Sequence, residues 1–325
     1  MIIAFIQRAV IQGIPLLFGS TGEIITEKGG NLNLGTAGVM YIGGISGVIG
    51  AFLYETGNNN FNPVLGVIIP LLASFLGSLI CGLIYSFLTV TLKANQNVTG
   101  LALTIFGTGV GNFFGGSLIK LTGADVPSVV LSKTSAAFKF GFPFAGKLGW
   151  FGDIFLSYSF LAYVAIIIAV VSGIMLRRAR VGLHLRSVGE NPATADATGI
   201  NVEKYKYVSV CVGSMIAGLG GLYYVMDYAS GVWSNNGFGD RGWLAIALVI
   251  FALWKPDLSI LGSIVFGGLF IVYNYIPNLS MSSQELFKMA PYAVTIIVLI
   301  VISMKKKKEN QPPQSLGLPY FREER

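Results

Sequence analysis

The chain has 325 residues, of which 53% are hydrophobic and 11% charged, with a net charge of +7 and a single histidine, His184. A soluble domain usually carries about 25% charged residues to cover its surface, so this composition argues against a water-soluble enzyme and makes lipid the solvent for most of the chain. The lone histidine sits in a basic loop and the two cysteines, Cys81 and Cys211, lie inside apolar runs. That arrangement points away from a disulfide framework, a metal centre or a histidine-dependent hydrolase, and implies no cofactor.

In chain order, apolar runs recur at 3–21, 34–54, 64–92, 98–119, 154–176, 206–228, 242–254, 258–276 and 289–304. Most are close to the roughly 20 residues that cross a bilayer core as a helix. The first has neither a basic start nor a small-residue cleavage site, so it reads as a retained helix rather than a signal peptide. The expected fold class is all-α, a polytopic integral membrane protein with about 8–10 transmembrane helices. Residues 1–304 form the transmembrane domain, and 305–325 a basic and polar tail.

The loop 177–206 carries Arg177, Arg178, Arg180, Arg186, Lys204 and Lys206 against Glu190, Asp196 and Glu203. With Lys305–Lys308 it places the basic excess where membrane proteins keep cytoplasmic charge, so the charge is a topology signal and not a nucleic-acid footprint. Lys93 and Lys255 then fall inside, and 55–63, 120–153 and 230–240 outside. Nine complete spans with an internal tail put Met1 outside, and one irregular span would relieve that tension. The segments 29–44 and 234–248 are the candidates, because each begins with glycine and asparagine and then turns apolar, as a half-helix entering the membrane does. Irregular backbone at membrane depth survives only where protein or a water-filled cavity surrounds it, and interrupted segments in two halves of a transporter point to its binding site. Asn31, Asn33, Asn97 and Asn112 are amides in glycine-rich apolar surroundings near these segments, and Trp243 lies within the second. They are candidates either for helix–helix hydrogen bonding or for a solute path.

GFPFAGKL (Gly141 to Leu148) matches part of a phosphate-binding loop, but Leu148 replaces the metal-holding hydroxyl and Pro143 interrupts the loop. Any ATP use therefore belongs to another chain. The stretch GENPATADATGI (Gly189 to Ile200) has an N-cap in Asn191, a preferred first-turn residue in Pro192 and a terminator in Gly199. It predicts a short helix with Ala193 and Ala197 on one small smooth face and Ile200 near it, either a connector or a plug for a groove on a partner.

GLHLRSVGENPATADATGI, followed by IAGLGG (Ile216 to Gly221), resembles the coupling region of permease subunits in bacterial ABC importers of the ribose, branched-chain amino acid and nucleoside type. NLNLGTAGVMYIGG, KANQNVTGLALTIFGTGVGNFFGG, FPFAGKLGWFGDI and DRGWLAIALVIFALWKP with GSIVFGG extend the likeness over about residues 15 to 300, in the manner of the nucleoside branch linked to basic membrane lipoproteins. The resemblance implies a permease in the bacterial cytoplasmic membrane that pairs with a second, usually non-identical permease. An ATP-binding subunit would drive it, and an external substrate-binding lipoprotein would supply it. It implies ATPase docking by Gly189, Glu190, Asn191, Pro192, Ala193, Ala197, Gly199 and Ile200. Where that branch commonly reads LNLG-x-E-G, this chain has Ala37, so a sugar or a flavin-like compound stays open beside a nucleoside. A secondary carrier or channel would need ionisable groups inside the membrane, for which Asp227, Asp240 and Arg241, assigned to the outer boundary, are the nearest candidates; an integral-membrane enzyme would need them to converge.

Overall fold

In a computed structural model, residues 2–58, 60–122, 128–141, 149–277, 279–305 and 311–322 are described. The long elements are α1 (Ile2–Lys28), α2 (Thr36–Gly57), α3 (Pro63–Ser86, continued by a π-helical turn Phe87–Thr91) and α4 (Gln96–Thr122). After a two-residue strand β1 (Val129–Val130) come the short helices α5 (Ser132–Phe138) and α6 (Gly149–Phe155), then α7 (Phe160–Arg178), α8 (Arg180–Glu190) and α9 (Pro192–Ala197). The last part comprises α10 (Val202–Tyr223, continued by a π-helical turn Tyr224–Tyr228), strand β2 (Val232–Trp233), α11 (Arg241–Phe251), α12 (Pro256–Ile271), α13 (Met281–Lys288) and α14 (Ala290–Lys305). Among the described residues, eight helices are long and apolar enough to cross a membrane, and α11 is a shorter apolar helix.

Local chemistry sets many helix ends. Asn62 accepts from Val64 N at 2.9 Å with Pro63 in the first turn of α3, and Asn201 accepts from Lys204 N at 2.9 Å to start α10. Arg177 and Arg178 close α7, opposing its negative end. The bundle centre is α1, which packs along α10, α12 and α11, while α2 packs along α3, α10 and α4. Small residues permit the closest crossings: Gly43 of α2 lies against Gly218 of α10, and Gly44 against Gly221. Leucine, isoleucine and phenylalanine side chains on the outer faces of α3, α4 and α14 remain exposed, as a lipid-solvated surface requires.

One end of the bundle gathers the turn after α1, Lys93, α8, α9, the turn after α11 and residues 311–322. The opposite end gathers the start of α1, where Gln7 Nε2 donates to Asp153 O at 2.8 Å, and Tyr275, whose hydroxyl donates to Ala4 O at 3.4 Å. The β1–β2 pair is there too, with Val129 opposite Trp233, as is Glu55, which accepts from Lys133 N, Thr134 N and Thr134 Oγ1. The segments 55–63, 230–240 and the described part of 120–153 thus share one end, as the charge pattern requires, with the start of α1 beside them and the tail at the other. Among the described residues, eight candidate spans and the shorter α11 lie between these ends, and α11 is the irregular element of the set.

The two irregular segments differ from each other. In 29–44 the chain makes a tight bend over Gly29–Gly35 and then enters the full 22-residue α2, so no half-helix exists there. In 234–248 a turn-rich stretch leads into the 11-residue α11, about 16 Å long, which ends where Leu253 and Trp254 adopt left-handed φ values of 56° and 54°. This second segment is a half-helix. Residues 142–148 of the phosphate-loop match and Lys306–Lys308 lie outside the described residues.

Candidate functional site: the coupling helix and the polar groups at the broken segments

Asn191 begins α9 as expected, accepting from Thr194 N at 3.0 Å, and Gly199 ends it at φ +88°, a conformation disfavoured for a side chain with Cβ. Six residues cannot hold a helix by propensity alone. Its seat is a small apolar cluster in which Ala195 is buried between Val188 of α8 and Val202 of α10, with Ile200, Tyr205 and Tyr320 around it. Burying Ala195 turns Ala193 and Ala197 away from the body, with Ala197 exposed and Ala193 half-buried. Gly189 is the contact between this region and the transmembrane bundle, because a Cβ there would strike the Lys28 carbonyl that ends α1. Of the other expected docking residues, Glu190, Asn191 and Gly199 are exposed, Pro192 and Ile200 half-buried, and Gly189 is buried.

The bend after α1 is held from several sides. Glu23 accepts from Asn33 N at 3.2 Å and from Thr36 Oγ1, and Asn33 Oδ1 accepts from Gly35 N at 2.9 Å. Leu32 N donates to Gln96 Oε1 at 2.7 Å, its carbonyl accepts from Tyr85 OH at 2.6 Å, and Thr104 Oγ1 donates to Leu34 O at 2.8 Å. One turn beyond Glu23, Glu27 accepts from Trp254 Nε1, which pins the end of the half-helix to α1. Asn31 donates to Lys206 O at 3.3 Å and to Ser209 Oγ at 3.4 Å. Asn31 and Asn33 are thus both buried, Asn31 bonded to α10 and Asn33 within the bend.

At the other end of α11, the turn-rich stretch 234–240 lies against α2 and α4. Tyr41 OH donates to Asn112 Oδ1 at 2.5 Å, Asn112 Nδ2 donates to Asn236 Oδ1 at 2.8 Å, and Asn236 N donates to Tyr41 OH at 2.9 Å. Asn112 is half-buried and Asn236 exposed, while Trp233 packs edge-on against Tyr41 with centroids 5.1 Å apart. Arg241 is only 7% exposed: its guanidinium lies 4.5 Å from the Tyr224 ring centroid and 4.9 Å from that of Tyr228, and donates to Phe238 O at 2.8 Å and Gln12 Oε1 at 3.4 Å. The Arg241 side chain thus reaches Gln12, more than two turns into α1, and stacking on aromatic rings offsets the loss of water around the cation.

The four amides do not converge. Asn97, exposed in the first turn of α4, and Asn112 are 15 positions apart on one helix, about 22 Å. Only Asn112 joins the polar cluster, and Trp243 is exposed in the first turn of α11. Glu23, Glu27, Tyr41 and Asn236 are the groups that the sequence did not single out. A first span ended at residue 21 hides both carboxylates, although TGEIITEK continues at helical spacing with Glu23 and Glu27 four apart on one face. No group of three or more metal-ligating side chains occurs among the described residues.

The chain matches a family of permease components, described as the branched-chain amino acid transport system / permease component, over residues 5–299. It is similar to the nucleoside ABC transporter permease protein NupC of Lactococcus lactis subsp. cremoris, 31% identical over 90% of each chain. It is also 28% identical to the guanosine ABC transporter permease protein NupQ of Bacillus subtilis, over 98% of this chain and 97% of that one. A putative glucose ABC transporter permease protein, TsgC13 of Haloferax volcanii, is 30% identical over 81% of this chain and 74% of the other. A match to the family over nearly the whole chain, on a bundle with eight candidate spans, identifies this polytopic membrane protein as an ABC-transporter permease subunit belonging to the branched-chain amino acid transport system / permease component family.

Proposed function

We propose that the chain is the membrane-spanning subunit of an importer for a neutral heterocyclic solute, a nucleoside first of all. The observation that carries this reading is the junction of α11 with the polar cluster. A half-helix enters the bundle beside Tyr41, Asn112 and Asn236, whose donors and acceptors are neutral, and the nearby Arg241 cation is already engaged by Tyr224, Tyr228 and backbone oxygens. Such groups suit a solute that needs a few weak hydrogen bonds and a stacking partner, and their weakness favours release. The names of the Lactococcus and Bacillus relatives support a nucleoside, and that of the Haloferax relative keeps a sugar as the competing substrate. Asn112 and Trp243 would line the path with Asn97 at its other end, while Asn31 and Asn33 hold the bend.

In this reading the basic end carrying α8 and α9 faces the cytoplasm of a bacterial cell, where the outward Ala193 and Ala197 face docks on an ATP-binding subunit. A second permease subunit covers part of the exposed apolar surface, and an external lipoprotein delivers the solute. The test is to express the chain with its neighbouring transport subunits, isolate the complex and measure ATP-dependent uptake of labelled guanosine into proteoliposomes against excess unlabelled nucleoside, glucose or riboflavin. Uptake abolished by nucleosides alone is the expected result. Competition by glucose or riboflavin alone overturns the nucleoside assignment, and uptake that persists without ATP or any ATPase overturns the importer reading.

A further inference from the structure

Residues 311–322 return to the bundle and fasten across the coupling region. Ser315 is buried, its N–H donates to Gly189 O at 3.0 Å, and its hydroxyl donates to the same oxygen at 2.5 Å. Two residues on, Gly317 N donates to Gly30 O at 3.3 Å, in the bend after α1. Lys206 Nζ of α10 donates to Leu318 O at 3.5 Å. Tyr320 then packs into the Val188, Ala195 and Val202 cluster and donates from its hydroxyl to Asp196 Oδ2 of α9 at 2.7 Å, with Arg322 Nε 3.3 Å from the same oxygen. Finally the Phe321 ring lies 4.3 Å from Lys93 Nζ.

We propose that this C-terminal segment is a transmission strap, in which Ser315 and Tyr320 are positioning residues that make the coupling helix and the α1–α2 bend move as one body. The proposal rests on the importer reading. Its physical basis is that α9 is too short to be stable alone, and that the strap grips it at Asp196 and, within five residues, grips the bend at Gly30. Gly30 sits at φ +83°, its ideal Cβ position 2.9 Å from Ser315 Oγ and 3.3 Å from Gly189 Cα, so the bend, the end of α8 and the strap meet at one point. The bend is in turn held by Glu23 through Asn33 and Thr36, at the foot of α2. Displacement of α9 by a partner therefore reaches α2, which carries Tyr41 of the polar cluster, through contiguous bonded groups. The Tyr320–Asp196 bond is the main link, because Arg322 is largely exposed and its ion pair is screened by water.

The experiment uses the full transport complex and compares the intact chain with Tyr320→Phe, Asp196→Asn and a truncation after Asn310. The expected result is that every variant retains the ATPase subunit, while the truncation lowers ATP-dependent uptake about tenfold, within the usual range of coupling between sites, and removes the stimulation of ATP hydrolysis by solute. Tyr320→Phe, which keeps the ring, falls between. A second readout needs no partner: hydrogen exchange at the amides of Gly29–Gly35 in the detergent-purified permease speeds up on truncation. Unchanged exchange together with unchanged uptake overturns the strap, and so does loss of the ATPase subunit from the truncated chain alone, which makes the tail a docking element instead. If the intact chain holds no ATPase while exchange still responds to truncation, the importer reading fails and the mechanical link stands.

Discussion

Glu23 shows how one side chain can fix the path of the backbone inside a membrane protein. It is 2% exposed, and it supplies the acceptors for Asn33 N and Thr36 Oγ1 at the one place where the backbone between α1 and α2 leaves helical geometry. Without that carboxylate the Asn33 N–H loses its acceptor at membrane depth, while Thr36 Oγ1 keeps only the Asn33 carbonyl at 3.1 Å. Glu23→Ala is expected to cost about 1–3 kcal/mol for each donor left unpaired, seen as a lower thermal midpoint of the detergent-purified protein, with Glu23→Gln losing less because one acceptor survives. Equal midpoints for wild type and Glu23→Ala are incompatible with this role. Asn112 supports a different expectation, since it joins Tyr41 to Asn236 on a half-open surface. Asn112→Leu should leave assembly intact and lower uptake several-fold, and native uptake with unchanged specificity would mark the cluster as scaffolding. The carboxylates escaped the sequence reading because hydropathy fades after residue 21, whereas helical spacing does not. The amides were visible, but hydropathy carries no information about which helix each one faces, and so Asn31 and Asn33 could not be told from Asn112.

At the scale of elements, α9 was legible almost to the residue, because its signals are local: a capping side chain, a proline compatible with the first turn and a glycine at positive φ. The long spans were legible for an equally simple reason, since length and hydropathy alone decide them. The half-helix was half legible. Glycine and asparagine at 29–35 and at 234–240 give the same signal of irregular backbone, and only tertiary hydrogen bonds from Glu23, Gln96 and Tyr85 decide that the first is a bend before a full helix. The strap was invisible, because its bonds run from 311–322 back to Gly30, Gly189 and Asp196, and no periodicity records pairing at that separation. The orientation of α9 yields the prediction at this scale. Ala195 is its buried anchor and Ala193 looks outward, so Ala193→Glu should leave the permease folded but force a carboxylate into a desolvated contact with the ATPase, costing several kcal/mol and abolishing uptake. Solute-stimulated ATP hydrolysis at the native rate in that variant would count against docking through this face.

For the whole molecule, orientation follows from which segments share an end. The start of α1, Glu55, β1, α5, β2 and Tyr275 are tied together at one end by the Gln7, Glu55 and Tyr275 hydrogen bonds and the β1–β2 pair, while α8, α9, Lys93 and the strap are tied together at the other. A single measurement of sidedness at either end therefore orients every crossing. The second end carries Arg177, Arg178, Arg180, Arg186 and Lys204 in short connections, and a cytoplasmic excess of Lys and Arg is what sets the orientation of such proteins during insertion. Lys139 and Arg178 are both exposed and stand at opposite ends, Lys139 just after α5 beside Ser230 and Arg178 at the last turn of α7. A cysteine introduced as Lys139→Cys, in a background with Cys81 and Cys211 replaced by serine, should react with a membrane-impermeant maleimide added to intact cells. Arg178→Cys should react only after the membrane is opened. Both substitutions remove one positive charge, and the one at Arg178 leaves its loop still strongly basic, so neither should invert the protein. Labelling in the reverse order would turn the whole bundle over at once, placing α9 and its strap outside the cell, away from ATP, and would remove the physical basis for reading α9 as the contact with an ATPase.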